Sequence, residues 1–182
     1  LIENGKATGV KLEDGQKIHA PMVISNAGVG ITYGHLLKGE VAKKYGLHKK
    51  LNKVRPSAAD VCLYVGVNEP QEKLQTGTTN LWIYPHEDHD KAVNDYLEDP
   101  SKPLPLVYIS FPSAKDPDWE NRYPGKSTAE VLSIAPYEWF AEWEDKRWRK
   151  RGEDYEKLKE EHAQKLLDAL YKHVPQMKGK VD

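Results

Sequence analysis

Four groups of residues carry types and spacings that could do chemistry. Gly28-Val29-Gly30 with Gly34 follows an apolar run and opens a helix, the setting of a dinucleotide-binding turn. That fingerprint needs G-x-G-x-x-G so that its third glycine meets the strand on the right helical face, whereas three residues separate Gly30 from Gly34. A strand-to-helix turn is therefore expected there, not a primary nucleotide cradle. His86-Glu87-Asp88-His89-Asp90 contains metal-ligand types, and on a helix His86 and His89 would share a face. Pro85 and the acidic flanks favour a solvated turn and helix start, with Asp88 or Asp90 as N-cap or first-turn charge. Lys146, Arg147, Arg149, Lys150 and Arg151 around Trp148 are the types of a phosphate-binding stripe. Acidic residues on both sides make a solvated helix end or loop the better reading. The aromatics Trp82, Tyr84, Tyr108, Phe111, Trp139, Phe140 and Trp143 would form an apolar cleft for a lipid-like ligand if they lined one sheet face. Core packing accounts for most of them by residue type alone. Ser and His occur, but no G-x-S-x-G elbow surrounds them, so hydrolase chemistry is not supported.

Composition narrows the partners. At 182 residues, with 38% hydrophobic and 30% charged, the chain can bury a real core and fits neither disorder nor membrane spanning. Lys and Arg number 27 against 28 Asp and Glu, so a net charge of −1 gives no electrostatic case for nucleic acid. Cys62 is the one cysteine, which rules out an internal disulfide and a multi-cysteine metal site. No apolar run approaches the roughly 20 residues that cross a bilayer. The opening residues 1–6 read as a strand end and turn, and the expectation is a soluble piece of a longer protein, itself cytoplasmic or membrane-associated.

The elements that must position these groups follow from periodicity. Val10 and Leu12, then Ile18 and Ala20, flank Asp14-Gly15, a hairpin signature. Met22-Val23-Ile24 reads as a short buried strand, followed by a helix from about Ile31 to Leu37. Residues 38–55 are basic and polar, suiting short helices or a linker. Apolar residues at 59, 61, 63, 65 and 67 mark the clearest strand. Residues 79–84 and 106–111 are further β-rich runs, and residues 128–135 a fourth with weaker alternation. Ala92, Val93, Tyr96 and Leu97 fall at helical spacing before Pro100. Residues 112–125 hold three prolines and read as an ordered loop. Trp139, Phe140 and Trp143 suit a short helix packed on the same sheet. Tyr155, Leu158, Ala163, Leu166, Leu167, Leu170 and Val174 form one stripe of a long helix ended by Pro175. The expected fold class is α+β, a mixed α/β layer with helices covering a largely antiparallel sheet.

Two stretches add a resemblance that composition could not supply. Gly9-Val10-Lys11-Leu12-Glu13-Asp14-Gly15 leading to Met22-Val23-Ile24-Ser25-Asn26-Ala27-Gly28 is similar to the hairpin and strand of flavin-dependent desaturases, isomerases and amine oxidases. The run Ala114-Lys115-Asp116-Pro117-Asp118-Trp119-Glu120-Asn121-Arg122-Tyr123-Pro124-Gly125-Lys126-Ser127-Thr128 resembles the retinol saturase family more specifically. Asn80-Leu81-Trp82-Ile83-Tyr84-Pro85, Tyr137-Glu138-Trp139-Phe140, Arg151-Gly152-Glu153-Asp154-Tyr155 and Pro175-Gln176-Met177-Lys178-Gly179-Lys180-Val181 extend the likeness over nearly the whole chain.

That resemblance implies a fragment of an FAD-dependent oxidoreductase acting on conjugated double bonds of a retinoid, carotenoid or related isoprenoid. It leaves open saturation, isomerisation or desaturation, or a non-catalytic lipid- or partner-binding module. It also implies non-covalent FAD held mainly by segments outside this chain, NAD(P)H as an optional electron donor, and an option of peripheral membrane association. Residues 1–37 would belong to the flavin-domain side, 38–57 to a crossover and 58–182 to the substrate-binding domain. Ser25, Asn26, Ala27 and Gly28 match the strand end that approaches the flavin. Trp82, Tyr84, Tyr108 and Phe111 match the sheet that faces substrate. The isolated chain is expected to be inactive, and no residue stands out as a general acid or base.

Overall fold

Asp14 and Gly15 turn the chain back on itself early. Strand β3 (Gly9–Lys11) pairs antiparallel with β4 (Lys17–His19), after a first ribbon of β1 (Ile2–Glu3) and β2 (Lys6–Ala7). In the connecting turn Gly15 adopts φ +92°, its N–H donates to the Leu12 carbonyl at 3.0 Å, and the Asp14 carboxylate accepts from the Gln16 N–H at 2.9 Å. This is the three-residue hairpin with glycine at the left-handed position. At Gly9 the constraint is contact: a Cβ there would lie 2.1 Å from the Ile18 carbonyl oxygen.

The computed structural model describes residues 1–37, 39–54 and 59–182, which fall into two compact units, Leu1–Ser57 and Ala58–Asp182. Of the expected crossover, residues 38 and 55–57 lie outside the described residues, as does Ala58 of the segment that follows.

The first unit corrects one expectation. Met22, Val23 and Ile24 form no strand, and Met22 and Ile24 are 73% and 86% exposed. An apolar run becomes a buried strand only where neighbours cover it, and among the described residues β1 to β4 pair only within their own ribbons. The helix begins three residues before its expected start, as α1 (Gly28–Ile31), and continues as a π-helical turn over Thr32–Leu36. Two short helices, α2 (Glu40–Tyr45) and α3 (Leu47–Leu51), follow, separated by Gly46.

The second unit is built on one sheet. Strands β5 (Asp60–Val67), β6 (Leu81–Ile83), β7 (Val107–Ser110) and β8 (Ser127–Ile134) lie in the order β5-β8-β7-β6, every neighbour antiparallel. Period-two geometry sends Val65, Val67, Val107, Ile109, Ala129 and Val131 to one face. There they meet Leu166 and Leu170 of helix α8 (Glu153–His173), with Leu74 of helix α4 (Gln71–Leu74). The unit is thus α+β, an antiparallel sheet covered by helices on one face.

Strand β8 alternates more strictly than its residues suggest. Ser127 and Ser133 take buried core-face positions because their hydroxyls donate to the Glu69 carbonyl at 2.7 Å and the Leu106 carbonyl at 2.6 Å. A buried hydroxyl that finds a backbone acceptor costs little, so the pattern is apolar or small rather than simply apolar.

Helix α5 (His89–Glu98) starts at Asp88, whose carboxylate accepts from the Lys91 N–H at 2.9 Å, as a first-turn cap should. Residues 112–125 are not a plain loop: they contain one-turn helices α6 (Pro112–Lys115) and α7 (Trp119–Arg122). Pro112 pre-sets the first turn of α6, and the indole of Trp119 donates to the Lys126 carbonyl at 2.8 Å to close the segment.

The 3₁₀ segment Tyr137–Trp143 packs its rings on aromatic side chains of the helices. Trp139 stacks on His162 at 5.9 Å and meets Tyr96 edge-on at 5.5 Å, while Phe140 and Trp143 meet Tyr155. Aromatic pairs of this geometry contribute beyond their area burial, which draws them to other rings.

His162 is 4% exposed in this cluster. Burial pushes its imidazole below the ordinary value, Lys165 pushes the same way, and Glu161 opposes them. The unfolded chain therefore binds a proton more readily, and this group's contribution to stability is full above its unfolded pKa of about 6.5 and is lost as pH falls through the folded value. Urea midpoints at pH 7.5 and 5.5 should differ more in the natural chain than in His162→Phe; equal differences would show that His162 does not titrate on unfolding.

Candidate functional site

Only one face of the second unit's sheet is covered by helix α8. On the opposite face the pleat presents Cys62 of β5, Leu132 of β8, Tyr108 of β7 and Trp82 of β6, in register across all four strands. With strands about 4.8 Å apart, this apolar row runs about 14 Å across the sheet. Trp82 and Tyr108 meet edge to face at 4.7 Å and 60°. Trp82 stays 59% exposed, so its ring has little of its own protein to pack on. A hollow of about 270 Å³ opens over the row, lined by Asp60, Asn80, Trp82, Leu106, Tyr108 and Leu132.

A polar row lies one pleat further along. Tyr64, Glu130 and Ser110 are in register, and Lys115 reaches over from α6, donating from Nζ to Ser110 Oγ at 2.8 Å and to Asn80 Oδ1. The open face is therefore amphipathic: a strip of rings and aliphatic carbon with a cation, the Glu130 carboxylate and neutral oxygens beside it. Burial pushes the Cys62 thiol up, partly offset by its hydrogen bond with Tyr64, so this setting does not activate the thiol.

A second hollow of about 420 Å³ lies at the β5 edge, where Cys62, Tyr137, Phe140, Trp143, Arg151 and Tyr155 are among its walls. Arg151 lies over the Tyr155 ring at 4.9 Å and donates to the phenol oxygen at 3.1 Å. Cation–π contact of this kind fixes a guanidinium without neutralising it.

The structure brings together two of the four residues expected to face a ligand. Trp82 and Tyr108 form the centre of the open face. Tyr84 stacks instead on His89 at 4.3 Å, beyond the end of β6. Phe111 is 1% exposed and belongs to the core on the helix-covered side. Cys62, Leu132, Asn80 and Lys115 were not singled out by the sequence. Cross-strand register is what joins them; Asn80 and Lys115 lie inside the runs that carry the family resemblance, and Cys62 falls between the apolar positions 61 and 63 of the clearest strand.

In the first unit Ser25, Asn26, Ala27 and Gly28 are all exposed. Ser25 Oγ shares a hydrogen bond with Thr32 Oγ1 at 2.6 Å, tying the turn to the π-helical segment. Ser25 also lines a hollow of about 320 Å³ with Val10, Val23, Thr32 and Leu36. Ala27 precedes α1 without a side-chain cap, and the space where a Gly28 Cβ would lie is open. Among the described residues no side chain caps the start of α1, which suits close approach by a polar group. Among the described residues His86 accepts a hydrogen bond from the Asp88 N–H at 2.9 Å, and no cluster with metal-ligand geometry occurs. No helix among them is long and apolar enough to cross a membrane.

Comparison with known proteins finds relatives along the whole chain, of whose own length the chain spans about a third. The chain is 38% identical over its whole length to the human protein named all-trans-retinol 13,14-reductase, of which it spans 31%. It is 32% identical, over 98% of its length, to a zebrafish protein named inactive all-trans-retinol 13,14-reductase, again spanning 31% of the relative. A more distant match, 33% identical over 62% of the chain and 18% of the relative, is the phytoene desaturase of Neurospora crassa. No family model matches the chain.

Proposed function

We propose, from the premise that this chain belongs along its whole length with the all-trans-retinol 13,14-reductases, that it supplies the substrate wall of a flavin-dependent oxidoreductase acting on conjugated double bonds of a retinoid-like lipid. One observation carries the reading: in a chain so related, an aromatic face of the sheet is left open beside a hollow of about 270 Å³. Sites for apolar ligands are concave and mostly apolar with few polar groups, and this face has that make-up.

When bound, FAD would accept or deliver hydride equivalents at the alkene. The residues present fit contact with such a group at the turn of Ser25, Asn26, Ala27 and Gly28, through backbone amides that no side chain caps. They do not fit its pyrophosphate, since no G-x-G-x-x-G spacing occurs in the sequence. In this reading Trp82, Tyr108 and Leu132 hold the polyene flat by ring and aliphatic contact and exclude water from it. NAD(P)H is the proposed electron source, and residues 58–182 are the proposed substrate-binding part.

The test is chemical. Full-length flavin-loaded protein, given a reductant and an all-trans polyene alcohol, should shift the polyene absorbance to shorter wavelength and yield a product heavier by two hydrogens. An unchanged mass with altered geometry would assign isomerisation, and loss of two hydrogens desaturation, as the name of the Neurospora relative suggests. The zebrafish relative named inactive favours a second reading, a non-catalytic lipid-binding protein. Polyene binding with no conversion under any reductant would select it.

A further inference from the structure

We propose that the hollow at the β5 edge binds a phosphocholine diester, with Arg151 taking the phosphate and Glu144 facing the quaternary ammonium beside the rings of Tyr137, Phe140 and Trp143. This is a different hollow from the one over the open face, and the proposal stands whether or not the polyene reading does. Three elements build its walls of about 420 Å³: the start of β5, the 3₁₀ segment that ends before Glu144, and the first turns of α8. The chain leaves charge in that lining unpaired. Arg151 is partly buried, gives one N–H to the Tyr155 oxygen at 3.1 Å and lies 4.9 Å over that ring. Among the described residues no carboxylate pairs with Arg151, and no cation pairs with Glu144 or Asp60, the two carboxylates of the lining. Lys159, the other cation there, is paired with Glu156 at 2.8 Å.

Opposite charges that share a hollow without closing on each other suit a ligand that carries both. Tyr137 lies within reach of the two: its phenol is pushed up by burial first and then by Glu144, while Arg151 pulls it down. An anion alone would meet Glu144 and Asp60 with like charge, and a cation alone would meet Arg151. A guanidinium has five N–H donors in a planar fork, and with one given to Tyr155 the others suit a pair of phosphate oxygens. A diester phosphate carries one negative charge, which a single guanidinium balances. For the cationic end, a primary ammonium needs acceptors for three N–H groups, whereas a quaternary one needs ring carbon with a carboxylate nearby. Ring carbon is what Tyr137, Phe140 and Trp143 supply, and Phe140 and Trp143 are already braced against Tyr155 at 70° and 64°.

Calorimetric titration of the full-length flavin-loaded protein with three probes tests the assignment: glycerophosphocholine, which has both charges, dimethyl phosphate, which has the anion, and choline, which has the cation. Glycerophosphocholine should bind about tenfold more tightly than either half. Arg151→Met should weaken it about tenfold, the usual effect of losing hydrogen bonds to a charged group, and should not weaken choline. Glu144→Gln, at an exposed position, should weaken glycerophosphocholine about two- to fivefold and should not weaken dimethyl phosphate. If Arg151→Met fails to fold, the probe comparison and Glu144→Gln still decide. Sedimentation with phosphatidylcholine vesicles separates the two sources of this chemistry: co-sedimentation that both variants reduce assigns a lipid headgroup, and co-sedimentation that is absent or indifferent to both assigns a soluble diester. Equal binding of the three probes, or an affinity for glycerophosphocholine that either substitution leaves unchanged, would overturn the proposal and leave the open-face reading untouched.

Discussion

Trp82→Ala in the full-length flavin-loaded protein is expected to raise the dissociation constant for a polyene about 10- to 100-fold while leaving the fold intact. The ring is 59% exposed and lies on the side of the sheet away from α8, so removing it opens no cavity in the core. What is lost is the surface that a bound polyene would cover: burying an aromatic side chain contributes about 1.5–3 kcal/mol, which is about the factor stated. Titration of polyene absorbance or tryptophan emission measures the change, and an unchanged urea midpoint separates it from unfolding. Unaltered affinity would remove this face from the binding account.

The opposite side of the same sheet should respond in the opposite way. Leu170→Ala is expected to cost about 2–5 kcal/mol of stability, from lost burial plus the cavity it leaves. Leu170 is fully buried within the cluster of Val65, Val67, Ile109, Val131 and Leu166, where the second unit's strands and α8 interlock. Set against the roughly 5–15 kcal/mol that separates folded from unfolded domains, that loss is severe. Urea unfolding of the 182-residue chain would report it as a drop in midpoint. A loss below about 1 kcal/mol would mean that α8 can shift to fill the space, and that the core is looser than its burial indicates.

Sheet and long helix were legible in the residues because each satisfies a strong period. Odd positions from Val61 to Val67 repeat every two residues, and the stripe from Tyr155 to Leu170 repeats at helical spacing, so one face of each is committed. Ser127 and Ser133 blurred the same signal in β8, because their hydroxyls are satisfied by carbonyls distant in sequence. Met22, Val23 and Ile24 misled in the other direction: apolarity records what a segment would bury, and no strand pairs with it among the described residues.

The candidate site was legible as residue types and not as a surface. Trp82 and Tyr108 stood out as aromatic, yet so did Phe111, and only the pleat separates the two faces of β7 and its continuation. Ile109 and Phe111 share the helix-covered side, whereas Tyr108 is displayed on the other. Leu132 looks like any core leucine until its register with Tyr108 and Cys62 is known. Lys115 sits in a segment that reads as a proline-punctuated loop, and it acquires significance only because α6 carries its ammonium to Ser110 and Asn80.

Photo-crosslinking locates the ligand most directly. A diazirine-bearing polyene alcohol, irradiated with the full-length flavin-loaded protein and mapped by peptide mass spectrometry, should label the strand segments that hold Trp82, Tyr108 and Leu132, with free alcohol competing the label away. Labelling confined to other segments, with these three strands untouched, would contradict the assignment of the open face as the substrate wall.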